Sequence, residues 1–66
     1  MGVSLSGAAV AALPEMLRET FVLRFYEGLS FEEIGRLVER NETAVRKRYS
    51  RALQELRGVL AHLVAG

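Results

Sequence analysis

Cysteine is absent from the 66-residue chain, which excludes disulfides and thiolate zinc sites. Aspartate is absent too, and His62 is the lone histidine. One imidazole cannot build a metal site, and no Ser/His/acid or paired-carboxylate arrangement is available for catalysis. The chain therefore reads as a non-enzyme with no cofactor. Proline occurs once, at Pro14, and nothing alternates with period two for more than a few residues, so no strand is expected. No apolar run reaches the roughly 18 residues that mark a membrane span. The opening "MGVSLSGAAVAAL" has no Lys or Arg before it and makes a poor signal peptide. Gly2 and Ser6 fit the short N-myristoylation pattern, but no basic cluster lies beside them to supply a second anchor, so no membrane partner is expected.

What is present is apolar and helical. Half of the residues are hydrophobic, which argues against disorder. A chain this short is one domain at most, spanning 1–66, and must rely on efficient helix packing or association. The expected fold class is all-α, a small three- to four-helix domain.

Charge is unevenly placed. Residues 1–39 set Arg18, Arg24 and Arg36 against Glu15, Glu19, Glu27, Glu32, Glu33 and Glu39, a balance of −3. Residues 40–66 set Arg40, Arg46, Lys47, Arg48, Arg51 and Arg57 against Glu42 and Glu55, a balance of +4. Such asymmetry suits a polyanionic partner, and arginine's planar fork suits phosphate and guanine edges.

The segment "EGLSFEEI" encodes a helix end, a turn and a helix start. Gly28 suits a left-handed terminus. Ser30 and Glu33 have capping-box spacing, and Leu29 with Ile34 have that of a hydrophobic staple. Upstream, Pro14 fits a first helical turn, followed by an apolar face of Leu17, Phe21 and Phe25 with Val22 and Tyr26 beside it. Tyr26 and Tyr49 read as core aromatics. Residues 4–12 fit a short preceding helix capped by Ser4 or Ser6. Phe31, Ile34, Leu37 and Val38 form the stripe of a short third helix. Gly35 inside it points to a neighbouring helix crossing closely. Asn41 caps a final helix of up to about twenty residues, with Val45, Tyr49, Leu53, Leu56, Leu60 and Leu63 along one side.

A short capped helix, a tight turn and a basic second helix describe a helix-turn-helix, placed at about residues 30–56. At about 100° per residue, Val45, Tyr49, Ala52, Leu53 and Leu56 share one face of the last helix. Ala44, Lys47 and Arg51 point away from it, Thr43 and Arg48 lie beside them, and Arg46 and Ser50 flank. The basic residues thus form a surface of the kind that enters a major groove.

These residues resemble region 4 of bacterial sigma factors, most closely the extracytoplasmic-function class. The resemblance rests on Leu13-Pro14, Leu23-Arg24, Glu27-Gly28-Leu29-Ser30, Glu32-Glu33-Ile34-Gly35 and Val45-Arg46 with Arg48 and Arg51-Ala52, and covers about residues 8–60. It implies recognition of the −35 promoter element on double-stranded DNA, contact with the β flap of RNA polymerase, and action in the bacterial cytoplasm at the nucleoid. By position it implies Asn41, Glu42, Thr43, Arg46 and Lys47 as base-edge candidates. Arg48 and Arg51 are phosphate candidates, and Ser50 joins the same DNA-binding set. Two departures stand out. Glu39 and Arg40 occupy the turn where glycine and an aliphatic residue are usual, so the turn is built differently or the first helix runs one residue longer. Ala44 replaces a frequent threonine.

Sixty-six residues leave no room for region 2, so the expectation is an excised domain or a stand-alone protein with the same fold. The leucine stripe supplies the rival reading, a protein-interaction module. On that reading Leu56, Leu60 and Leu63 dock a second copy of the chain, the polymerase or an anti-sigma factor. The bland alternative is that Leu53 and Leu56 close the domain's own core.

Overall fold

A computed structural model describes the backbone of residues 7–65 and the side chains of 7–58. The described residues form four helices and no strand. Helix α1 is Gly7–Ala11, α2 is Glu15–Phe21 continued by a π-helical turn over Val22–Tyr26, α3 is Phe31–Val38 and α4 is Glu42–Ala65. The proposed Ser4 and Ser6 caps, and the side chains of Leu60, His62 and Leu63, lie outside the described residues.

Pro14 stands just before α2, with extended ψ, and its carbonyl accepts from the Arg18 N–H at 2.8 Å. It thus serves as the entry residue of α2, a position where its missing N–H is not needed. Arg18 Nη1 also donates to the Ala11 carbonyl at 3.3 Å, tying the end of α1 to α2. α2 and α3 both pack on α4, and α1 adds a smaller contact with it. The core contains Ala9, Val10, Leu13, Phe21, Ala52 and Leu56, with Leu17, Val22, Tyr49 and Leu53 half-buried against it. Buried Thr20 keeps its hydroxyl satisfied by donating to the Met16 carbonyl at 3.0 Å.

The π turn widens α2 just before it ends, with the Glu27 N–H reaching the Val22 carbonyl at 3.1 Å. Gly28 follows at φ +73°, the left-handed conformation expected of it. The apolar face predicted to run through Phe25 and Tyr26 is buried only as far as Phe21. Phe25 does stack on Phe21, with centroids 5.1 Å apart, but its outer side is open and both Phe25 and Tyr26 are 54 % exposed. Tyr26 is therefore not a core aromatic. Tyr49 is half-buried and stacks on Phe21 at 5.9 Å.

The capping box at α3 is formed in both directions. The Glu33 N–H donates to Ser30 Oγ at 3.1 Å, and the Ser30 N–H donates to Glu33 Oε1 at 2.9 Å. Ile34 and Gly35 are buried, Phe31 and Val38 are half-buried, and Leu37 is 63 % exposed. Leu37 therefore leaves the predicted stripe. At about 100° per residue the other four cluster on one side of α3, and Leu37 falls roughly 100° from their centre.

The turn between α3 and α4 is the three residues Glu39, Arg40 and Asn41. α3 ends at Val38 and does not run on. Glu39 itself takes the left-handed conformation, φ +56° and ψ +48°, that glycine more often supplies. The Glu39 and Arg40 N–H groups both turn back to the Gly35 carbonyl. Gly35 is needed for this turn rather than for a crossing helix: a Cβ there would lie 2.6 Å from the Arg40 carbonyl oxygen.

Candidate nucleic-acid interface

α4 starts where Asn41 Oδ1 accepts the Ala44 N–H at 2.8 Å, satisfying one of the free donors of the first turn. The helix then divides as its sequence dictates. Val45, Ala52 and Leu56 are buried, and Tyr49 and Leu53 half-buried. On the opposite side Thr43, Lys47, Ser50, Arg51 and Gln54 are exposed and, with Arg46, line one shallow groove of about 280 Å³. The wheel placed Ala44, Lys47 and Arg51 on this face with Thr43 and Arg48 beside them; Thr43, Lys47 and Arg51 are exposed as expected, whereas Ala44 and Arg48 are half-buried. Gln54 was missed there, although the same wheel puts it directly opposite Val45, beside Lys47.

The candidate residues differ in what they are free to do. Asn41 has its side-chain oxygen committed to the cap, leaving its amide N–H groups available. Glu42 accepts from Arg46, whose Nε lies 3.0 Å from Glu42 Oε2, with Nη2 on the same oxygen. The pair sits one helical turn apart at the exposed start of α4. The Arg46 guanidinium also lies over the Phe31 ring, 5.0 Å from its centroid. Arg24, on the π turn, lies over the same ring at 4.8 Å and donates to the Leu29 carbonyl at 3.1 Å. Lys47 and Arg51 project from the open face. Arg48 is half-buried and, with Lys47, Arg51, Pro14, Leu17 and Glu55, lines a second cleft of about 330 Å³ between α2 and α4.

Neither Phe31 nor Arg24 figured as a site residue in the sequence reading. A helical wheel of α4 cannot find them, because both come from other elements. Leu56 corrects the expectation of a partner contact. It is 2 % exposed inside the domain's own core, since α1 and α2 cover that side of α4. Leu60 and Leu63, the other two partner candidates, lie outside the described side chains.

Electrostatically, acid and base are separated along the motif. Glu32 and Glu33 occupy the first turn of α3, where carboxylates favour the helix dipole. Ser30, donating first through its backbone N–H and then through its hydroxyl, holds the Glu33 carboxyl below the ordinary range. The Arg36–Glu32 pair, at 3.9 Å and largely in solvent, adds little. Among the described residues no cluster of side chains could hold a metal ion, and no helix is long and apolar enough to cross a membrane.

The profile of a family described as sigma-70, region 4 matches residues 7–56, which is most of the chain. No curated protein and no solved structure matches it significantly. The matched span opens at α1 and closes at Leu56, so it takes in the core, the capped α3, the turn and the polar face of α4 together. The match takes in both the short helix capped by Ser30 and the basic helix capped by Asn41, and the chain belongs to the sigma-70 region 4 family, which in sigma factors mediates −35 promoter recognition and RNA polymerase binding.

Proposed function

We propose that this chain binds double-stranded DNA sequence-specifically, with the first turns of α4 in the major groove, in the manner of −35 recognition. The observation that carries the reading is the two-sidedness of α4. Val45, Ala52 and Leu56 are committed to the core, while Thr43, Lys47, Ser50 and Arg51 share one exposed face. A major groove admits one such helix, and its N-terminal residues reach base edges. Thr43, Arg46 and Lys47 are assigned to bases, with Asn41 and Glu42 at the same end. Arg48 and Arg51 are assigned to phosphates. The family acts on DNA in the bacterial cytoplasm and is not an enzyme family.

A single DNA-reading module buries only about 600–1,000 Å², so the chain should bind weakly alone and gain occupancy by tethering to polymerase or by pairing. The test is fluorescence anisotropy of labelled duplexes at several salt concentrations. Replacing Lys47, Arg48 and Arg51 together by Ala should weaken binding and reduce the salt slope by up to about 0.9 per lost phosphate contact. An unchanged affinity and slope would reject the reading.

A second reading, a sigma-fold protein-interaction module, is favoured by the exposed aromatic pair Phe25 and Tyr26. It assigns contact with the polymerase β flap, an anti-sigma factor or a second copy to the π-turn side of the domain. Sedimentation and polymerase pull-down of the whole chain decide it. A monomer at every concentration with no polymerase or anti-sigma factor captured would end it.

A further inference from the structure

The ring of Phe31 sits at the meeting point of α3, α4 and the π turn, and it carries two guanidinium groups. Arg46 lies 5.0 Å and Arg24 4.8 Å from its centroid. Face-on cations at this range are attracted by the ring quadrupole.

The ring is itself fixed from inside. Its edge meets Tyr49 at 5.6 Å, and Tyr49 stacks at 5.9 Å on Phe21, which is wholly buried. Its backbone position is set by the capping box one residue earlier, where Ser30 and Glu33 satisfy each other's N–H groups. A continuous set of ring contacts thus runs from the centre of the core, through Phe21, Tyr49 and Phe31, to the guanidinium of Arg46. Glu42 holds the same guanidinium from the other side, through Nε and Nη2.

Arginine is a costly residue to order, since its long free side chain samples many rotamers. A side chain that must present a planar fork to one base edge gains most from being ordered beforehand. Lys47 and Arg51, on the open face, have no such support from an aromatic ring.

Resting on the DNA-binding reading above, the geometry points to Phe31 as a positioning residue for sequence reading, acting through Arg46. Phe31 holds the Arg46 guanidinium beside Glu42 at the start of α4, the end assigned to base edges, so it governs how well the domain tells one sequence from another rather than how strongly it grips phosphate. Glu42 shares the task by fixing the guanidinium plane.

The experiment has two arms, both on the whole chain. The first uses no DNA. Ring-current shifts of the Arg46 side-chain proton resonances should be present in the wild type, lost in Phe31→Leu and kept in Phe31→Tyr. Their absence from the wild type overturns the proposal. The second measures affinity for the duplex that the wild type selects from a randomised pool and for a scrambled duplex.

Phe31→Leu should weaken binding to the selected duplex by about two- to fivefold, the worth of an exposed cation–π contact. It should leave the scrambled duplex and the salt slope unchanged, and Phe31→Tyr should restore the preference. In an Arg46→Ala background Phe31→Leu should have no further effect. A wild type that prefers a sequence while Phe31→Leu loses none of that preference, or loses as much without Arg46, overturns the positioning role alone. A wild type that holds Arg46 on the ring yet prefers no sequence overturns the DNA reading and this role with it.

Discussion

The carbonyl of Arg40 closes over Gly35, leaving 2.6 Å between its oxygen and the place where a Cβ would stand. Helix propensity alone favours replacing this glycine, because Ala in a helix interior is worth about 1 kcal/mol over Gly. The contact reverses the sign. What the methyl meets is turn backbone, not the end of a flexible side chain, so the Glu39–Asn41 turn has to open. Gly35→Ala should therefore destabilise the domain by about 1–3 kcal/mol, the usual range for forced overpacking. Urea denaturation measures it. A more stable variant would show that the turn yields freely.

Four residues later the opposite substitution is favourable. Glu39 holds φ +56° with a full side chain in solvent. A non-glycine residue in this region carries a penalty of roughly 1–2 kcal/mol. Glycine removes that penalty but adds freedom to the unfolded chain, worth roughly 0.5–1 kcal/mol. Glu39→Gly should then raise stability by up to about 1.5 kcal/mol, the difference of the two terms. A loss of stability in the same urea experiment would mean that the carboxylate makes a contribution of its own.

These two positions mark what could and could not be read from the sequence. The capping box at Ser30 and Glu33, the left-handed Gly28, the Asn41 cap and the two faces of α4 are local patterns, set by spacing along one helix or one turn. Each was legible and each is present. The reason for Gly35 was not. Its close neighbour belongs to a turn whose path depends on Glu39 adopting a conformation the residue type does not advertise. Phe25 and Leu37 failed for a related cause. An apolar stripe shows which side of a helix can be buried, but not where the covering helices stop. Phe31 was placed in a stripe by its period, while its contacts with Arg24 and Arg46 arise only when three elements converge. The DNA-facing assignments on α4 remain proposals from position. The structure adds that Leu56 is committed inward and Gln54 outward.

The capping box gives the domain an acid-sensitive element. Ser30 stabilises the charged form of Glu33, so the folded-state pKa lies below that of the unfolded chain. A depressed carboxyl contributes stability that is fully present above its unfolded pKa, about 4.3 for Glu. That contribution is lost as pH falls through the lower folded value. Glu33→Gln cannot lose what it does not have. The urea midpoint of the wild type should exceed that of Glu33→Gln at pH 7, and the gap should narrow toward pH 3. A gap that stayed constant across this range would remove the charge from the account and leave only the cap geometry.

Lys47 and Arg48 are adjacent in sequence and both basic, yet they should respond differently to the same truncation. Lys47 is exposed on the open face of α4, and its removal takes away charge but little packing. Arg48 is half-buried and shares the α2–α4 cleft with Pro14 and Leu17, so its methylene stem covers apolar surface as well as carrying charge. Lys47→Ala should leave stability within the scatter of surface substitutions, about ±0.5 kcal/mol. Arg48→Ala should lower stability by roughly 1 kcal/mol, the typical cost of losing such packing. Both should weaken DNA binding, but only Arg48→Ala should do so with a loss of the folded state at raised temperature. Thermal melts beside anisotropy titrations at two salt concentrations separate the effects. Equal melting temperatures for the two variants would put Arg48 wholly in solvent, with no part in joining α2 to α4.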